Sequence, residues 1–377
     1  MTFTTLPATL MRGGTSKGLF FRADQLPDDP ARVQALMIRA LGSPDPYGGQ
    51  LDGLGTGISS TSKIVIIGPS QQPGCHVDYL FGHVAIADAL VDWSGNCGNL
   101  SAAVPVFALM QQLVAGAPAN GPVAVHIWQA NIGKKIIAEL QMQNGRPVWW
   151  GDYLLDGIAF SAGPIRLRFL DPAGGASGKL FPTGRPRDTL TLPDGSTLDA
   201  TLIDAGNPTV FVRAADLGLR GDETGHALNA EQQQKLEWAR CAGAVKMKLG
   251  PDADTIQREH PATPKISFLS PASQPGCALT ARIVSMGRLH HAYTGTGAIA
   301  LAAAAAINNT LVAELCGAPV RGQALTFAHA GGSQTLEAIV QRQGRSWQIA
   351  EVVMTRHARP LMQGTLYVPC TGEAGSK

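Results

Sequence analysis

Hydrophobic and polar positions along this chain are patterned mainly for strands. Short apolar runs with period-two alternation or fully buried strand character fall at 6–11, 18–21, 63–67, 77–87, 123–128 and 135–141. They recur at 189–201, 209–212, 265–269, 279–284, 336–341 and 347–355. Helical patterns are fewer, at 29–41, 97–113, 230–247 and 295–315. The second and fourth of these are almost wholly apolar, which predicts buried helices. Ala302 to Ala306 form an alanine run, the composition expected where surrounding strands leave a helix little width.

The two halves echo one another. The lysine of Thr61-Ser62-Lys63-Ile64 precedes the helix start at Cys97 by 34 positions, and that of Thr263-Pro264-Lys265-Ile266 precedes Gly295 by 30. A Gly-containing turn after a strand lies ahead of each lysine: Arg12-Gly13-Gly14-Thr15 and Asp204-Ala205-Gly206-Asn207-Pro208. The expected fold is α+β: two pseudo-duplicate domains, each a curved, mostly antiparallel sheet wrapped round a central helix. The boundary is expected at 1–184 and 185–377, within a Pro/Gly-rich linker at 171–188, with the last strand free to cross back.

Composition narrows the function classes. A chain of 377 residues is too long for one ordinary core, and 45% apolar with 15% charged residues fits a compact soluble protein. The net charge of +2 gives no reason to expect nucleic acid or a membrane surface as partner. An anionic substrate therefore needs local positive charge, for which Arg12, Lys17 and Arg288 are the candidates. The six cysteines (75, 97, 241, 277, 316 and 370) form no CxxC pair and read as reduced thiols. No basic segment followed by an apolar core opens the chain, and the longest apolar run, 297–307, is too short to span a bilayer. A cytoplasmic protein is expected.

Asn96-Cys97-Gly98-Asn99-Leu100-Ser101 carries the most chemistry. A thiol at a helix start meets unpaired N–H groups and the positive end of the helix dipole, which favour the thiolate. The same N–H groups can hold a carboxylate. Asn96 is placed to cap, and Gly98 keeps the backbone open to a ligand. Together these point to proton transfer on a carboxylate substrate, against the plainer reading of a buried structural cysteine. Thr294-Gly295-Thr296-Gly297 opens the second buried helix and reads as a second anion cradle. A dinucleotide site there would need α/β alternation that the surroundings lack. His290 and His291 are adjacent, so on regular structure they point apart; no metal spacing is present, and one is expected to be structural.

Two other motifs resolve differently. Arg12-Gly13-Gly14-Thr15-Ser16-Lys17-Gly18 is not a phosphate-binding loop, since its lysine follows the serine and leads into a strand. It is either a Gly-rich turn lining an anion site or an ordinary hairpin turn. Ser60-Thr61-Ser62-Lys63 matches the SxxK pattern of serine acylases, but no Lys-Thr-Gly strand follows. Lys63 leads an apolar strand, as an edge lysine does; turned into a dry pocket, it could act as a base.

These residues resemble the PrpF family, the 2-methylaconitate isomerases, whose fold is like that of diaminopimelate epimerase. The resemblance rests on Met11-Arg12-Gly13-Gly14-Thr15-Ser16-Lys17-Gly18, Gly42-Ser43-Pro44-Asp45-Pro46-Tyr47, Ser59-Ser60-Thr61-Ser62-Lys63 and Asp92-Trp93-Ser94-Gly95-Asn96-Cys97-Gly98-Asn99. Trp128-Gln129-Ala130-Asn131-Ile132-Gly133-Lys134 and Met286-Gly287-Arg288-Leu289-His290-His291-Ala292 complete it, so that it runs from about Leu6 to Pro369. It implies isomerisation of an unsaturated tricarboxylate in the methylcitrate cycle of propionate breakdown, without metal or redox cofactor. It also implies Lys63 and Cys97 as the catalytic pair, with Gly14, Thr15, Ser16, Asn96, Gly98, Asn99, Thr294, Gly295, Thr296 and Gly297 around the substrate. Relatives isomerise 4-oxalomesaconate or methylitaconate; the absence of a Pro-His-x-Cys-His segment after the His pair favours methylaconitate. The chain departs from the family pattern in the threonine of Tyr293-Thr294-Gly295-Thr296-Gly297. The expected chemistry is an allylic proton shift, with base and acid on opposite walls and helix-start N–H groups holding the developing charge. The expected partner is a small polycarboxylate, with a homodimer as the candidate assembly. A non-catalytic accessory protein is the remaining alternative.

Overall fold

The computed structural model describes residues 2–370, except for positions 226 and 345. The first half runs β1 (Thr2–Gly13), β2 (Ser16–Arg22), α1 (Pro30–Ala40), β3 (Lys63–Pro69), β4 (Val77–Val84), β5 (Val91–Asp92), α2 (Ala103–Met110), β6 (Gly121–Gln129), β7 (Lys134–Gln143), β8 (Arg146–Pro147) and β9 (Ile165–Leu170). The second runs β10 (Asp188–Thr191), β11 (Thr197–Ala205), β12 (Asn207–Arg213), α3 (Ala230–Lys246), α4 (Ala253–Glu259), β13 (Lys265–Ser270), β14 (Thr280–Ser285) and β15 (Arg288–Leu289). It ends with α5 (Gly295–Ala305), α6 (Leu311–Leu315), β16 (Leu325–His329), β17 (Gly332–Gln343), β18 (Ser346–Arg356) and β19 (Ala358–Cys370).

The duplication expected from the sequence is present strand for strand. Hairpin β1–β2 feeds a parallel neighbour, β3, which pairs antiparallel with β4; β4 then pairs parallel with β6. Hairpin β11–β12 feeds β13 in parallel, β13 pairs antiparallel with β14, and β14 meets β16 in parallel. β17 joins the two sheets, pairing with β16 at one end and with β18 at the other. β18 and β19 pair with strands of the first half, β9 and β1.

Each sheet curves round one buried helix. Val104 and Phe107 of α2 pack among Met11, Phe20, Val65, Tyr79, Ile127 and Leu167, with the Phe20 and Phe107 rings 5.5 Å apart. α5 lies against β11, β12, β17 and β18, and all of its residues are buried. Alanine is the side chain that fits such a space. Ala303→Leu is therefore expected to lower stability by about 1–3 kcal/mol through overpacking, read as a lower midpoint in urea unfolding.

Several boundaries depart from expectation for identifiable reasons. The helix expected from Cys97 begins as a 3₁₀ turn at Leu100–Ala102 and becomes α-helical only at Ala103. That start places Pro105 in the first turn, where its missing N–H costs nothing; starting at Cys97 would put it in the interior, at about 3 kcal/mol. The helix expected over 295–315 breaks after Ala305, where Asn309 takes a left-handed backbone and the Thr310 hydroxyl accepts from Ala313 N–H to start α6. The strand expected over 189–201 is the hairpin β10–β11, turned at Pro193-Asp194-Gly195. Among the described residues no helix is long and apolar enough to cross a membrane. Cys75, Cys97, Cys241, Cys277 and Cys316 are free thiols; the Cys370 side chain lies outside the described residues.

Candidate active site

Lys63 is the first residue of β3, opposite His83 of β4. Its side chain is buried, and Nζ donates to Ser16 Oγ at 2.9 Å and to Cys97 Sγ at 3.5 Å. Cys97 lies in the turn between β5 and the 3₁₀ segment. Its Sγ accepts from the Leu100 N–H at 3.4 Å, so a helix-start N–H does face the sulfur. Its carbonyl accepts from the Tyr79 hydroxyl at 3.1 Å and from the Ser101 N–H and hydroxyl, both at 3.0 Å, which fixes the thiol's position. Burial, then the nearby Cys97, holds the Tyr79 hydroxyl well above the ordinary tyrosine range, so it serves as a donor. Lys63 and Cys97 are in contact rather than on opposite walls, because β3 and the turn after β5 both open onto the same end of the first sheet.

The two helix starts abut. A Cβ at Gly98 would lie 2.8 Å from the Gly295 carbonyl carbon and 3.0 Å from the Thr296 nitrogen; one at Gly295 would lie 2.7 Å from the Asn99 nitrogen. At such ends the first N–H groups stand outside the intrahelical ladder and are available to an anion. Thr294 caps α5 by accepting from Gly297 N–H at 3.2 Å. The cleft at this junction is lined by Lys63, Asn96, Cys97, Gly98 and Asn99 from one half and Thr294, Gly295 and Thr296 from the other.

The remaining expected residues sit elsewhere. Arg12-Gly13-Gly14-Thr15-Ser16 is a two-residue hairpin turn, Gly13 pairing with Ser16, and it backs the cleft instead of lining it. Thr15 Oγ1 accepts from Asn99 Nδ2 at 2.9 Å, Ser16 accepts from Lys63, and a side chain at Gly14 would strike Asn99 Oδ1. Gly297 spends its N–H on the cap, and a Cβ there would lie 2.3 Å from Ile283 Cδ1; it is a packing glycine. Asn96 does not cap its helix, which starts too late. It reaches to the other half, donating Nδ2 to Gly206 O at 3.3 Å, and its buried Oδ1 has no partner among the described residues. Arg12 donates to the Gly14 and His357 carbonyls, Arg288 donates to Gly57 O, and neither these nor Lys17 lines the cleft. The His290 and His291 rings do not point apart: β15 ends at Leu289, and in the irregular segment beyond it they stack at 4.7 Å. His290 Nδ1 accepts from Ala292 N–H at 3.1 Å, which shapes the approach to α5.

Sequence reasoning missed several groups of the cleft, among them Lys265, Asp92, His83 and Asn207. The signal for Lys265 was present, since it holds the place of Lys63 in the repeat. Asp92 Oδ2 accepts from Ala262 N–H at 3.0 Å and ties the two halves beside Lys265. Asn207 Oδ1 accepts from Asn96 N–H at 3.0 Å across the same seam. Burial, then the positive charges of Lys265 and Lys63, keeps His83 well below the usual imidazole range, and its Nε2 has no partner among the described residues. The site thus combines two buried amines, a thiol and two helix starts, a set suited to holding a polyanion while a proton moves.

Comparison with known proteins bears on that chemistry. The chain matches the family described as PrpF protein over residues 3–369. It is 45% identical to a 2-methyl-aconitate isomerase of Cupriavidus necator, with 97% of each chain covered, and 44% identical to one of Shewanella oneidensis, with 96% of each covered. A crystal structure of methylitaconate-delta-isomerase superposes with a TM-score of 0.75 at 32% identity, covering 100% of both chains.

Proposed function

The chain belongs to the PrpF family and is an isomerase, and we propose that it interconverts the cis and trans forms of 2-methylaconitate by allylic proton transfer through Lys63 and Cys97. The observation that carries the reading is the 3.5 Å contact of Lys63 Nζ with Cys97 Sγ at the junction of two helix starts. Removing a proton next to a carboxylate-conjugated alkene leaves a dienolate, in which the former double bond can rotate before a proton returns. Helix-start N–H groups facing the carboxylates stabilise that charge by roughly 3–4 kcal/mol per well-placed donor. A base and an acid in contact can take and return the proton on one face of the substrate, each contributing about 100- to 10,000-fold. Within this proposal the reaction serves the methylcitrate cycle of propionate breakdown, in the cytoplasm, and every step is proton transfer, which calls for no metal or redox cofactor.

The test is an NMR panel in D₂O with 2-methylaconitate, aconitate, 4-oxalomesaconate and methylitaconate. Isomerisation of 2-methylaconitate with deuterium entering at the allylic carbon, faster than with the other three, is the expected result. Preference for 4-oxalomesaconate or methylitaconate would replace the substrate, and silence on all four would overturn the reading.

A further inference from the structure

Lys265 is unused by the proton shift above. It opens β13 as Lys63 opens β3, with Thr209 of β12 as its parallel neighbour and Ser285 of β14 across from it. It is 5% exposed, as is Lys63, and lines the same cleft. Its Nζ donates to Ala262 O at 2.5 Å and to Ser285 Oγ at 3.0 Å, and when charged it keeps a third hydrogen that has no partner among the described residues. Among the described residues the cleft has no thiol from the half that carries Lys265: the place that Cys97 holds at the first helix start is taken at the second by Thr294-Gly295-Thr296. Two buried amines therefore share a cleft whose lining carboxylate, Asp92, already accepts from Ala262 N–H, Ser94 N–H and the Ser94 hydroxyl. Positive charge in excess of its partners is what a polycarboxylate site needs, and the arginines and lysine expected to supply it do not line the cleft.

We propose that Lys265 is a substrate-binding residue, which with the Gly295–Thr296 helix start grips one carboxylate of the polycarboxylate while Lys63 and Cys97 move the proton. The proposal rests on the isomerase reading for its substrate class. The groups around Lys265 are Lys63 from β3, His83 from β4, Asp92 from β5, Cys97 ahead of α2, Arg240 of α3 in its ion pair with Glu237, and His290 beyond β15. Burial, then the like charge of Lys63, brings the Lys265 amine down to about 7. A carboxylate arriving beside it favours the charged form. At pH 8 the empty cleft thus holds Lys265 mostly neutral, and binding takes up a proton; at pH 6 the amine is already charged, and binding takes up none. KM is expected to rise above pH 7 by up to about tenfold per pH unit, with kcat unaffected by this group.

The experiment uses 2-methylaconitate for kinetics from pH 6 to 9, and tricarballylate, a saturated tricarboxylate that has no double bond to move, for calorimetry in Tris and HEPES. Wild type is expected to take up close to one proton on binding tricarballylate at pH 8. Lys265→Met should weaken tricarballylate and raise KM by about 10- to 100-fold, the worth of a charged hydrogen bond, and flatten the KM profile. Lys265→Arg, charged throughout, should retain binding and lose the proton uptake, and it keeps the proposal testable if the Met variant does not fold. Unchanged KM and tricarballylate affinity in Lys265→Met would overturn the proposal, as would a loss confined to kcat. Lys265-dependent tricarballylate binding with no turnover of any unsaturated acid would instead support the grip and overturn the isomerase reading.

Discussion

Cys97→Ser is expected to lower kcat by about 100- to 10,000-fold with KM little changed, and Lys63→Met to do the same. The serine keeps the shape of the site: the clamp from Tyr79 and Ser101 falls on the backbone carbonyl of residue 97 and survives the exchange. What changes is acidity, because a hydroxyl gives up its proton far less readily than a thiol. Lys63→Met removes the amine that donates to both Ser16 and Cys97, leaving an apolar chain of similar length. Because the two groups act as a unit, the double variant should be about as slow as either single one. Steady-state kinetics with 2-methylaconitate, together with solvent deuterium entry, measures both. Cys75→Ser, on the loop ahead of β4 and not among the residues that line the cleft, serves as the control. Near-normal turnover by Cys97→Ser would end the acid–base role of the thiol.

The sequence made the repeat visible because a curved sheet round a buried helix leaves local marks: a lysine at a strand start, a glycine turn before it, an apolar helix after it. Those marks point to Lys63, Cys97, Gly98, Gly295 and Thr296, the pairing of Lys63 with Cys97 comes from the family resemblance, and the structure brings all five to one junction. What stayed hidden depends on tertiary direction. Arg12 and Arg288 looked like the cations of an anion site, but whether an arginine faces a cleft or a backbone carbonyl is not written in its neighbours. Lys265 carries half of the echo, yet a lysine without an adjacent thiol motif resembles any edge lysine. β19 was missed because Arg359, Pro360 and Gly364 interrupt its alternation; it is a strand through its twelve-residue register with β1, a contact more than 340 positions away in sequence. Pro105, by contrast, was legible and could have set the true start of α2.

Gly98→Ala is expected to cut kcat/KM by about 100-fold or more and to destabilise the protein by about 1–3 kcal/mol, although it adds one methyl group. The added carbon would sit 2.8 Å from the Gly295 carbonyl carbon and 3.0 Å from the Thr296 nitrogen. Both are backbone atoms of a helix start, with no flexible side-chain end to turn aside. Relief therefore requires the two helix starts to separate, and a shift of about 1 Å at a reacting site costs on the order of 100-fold. Gly295→Ala makes the same test from the other half, since its Cβ would meet the Asn99 nitrogen at 2.7 Å. Gly364→Ala, where nothing lies within 4 Å of the new carbon, should leave activity unchanged. Urea unfolding and kcat/KM on the three variants separate the effects. If Gly98→Ala keeps wild-type kcat/KM, the cleft does not depend on the two helix starts touching, and the paired-cradle account of substrate binding fails with it.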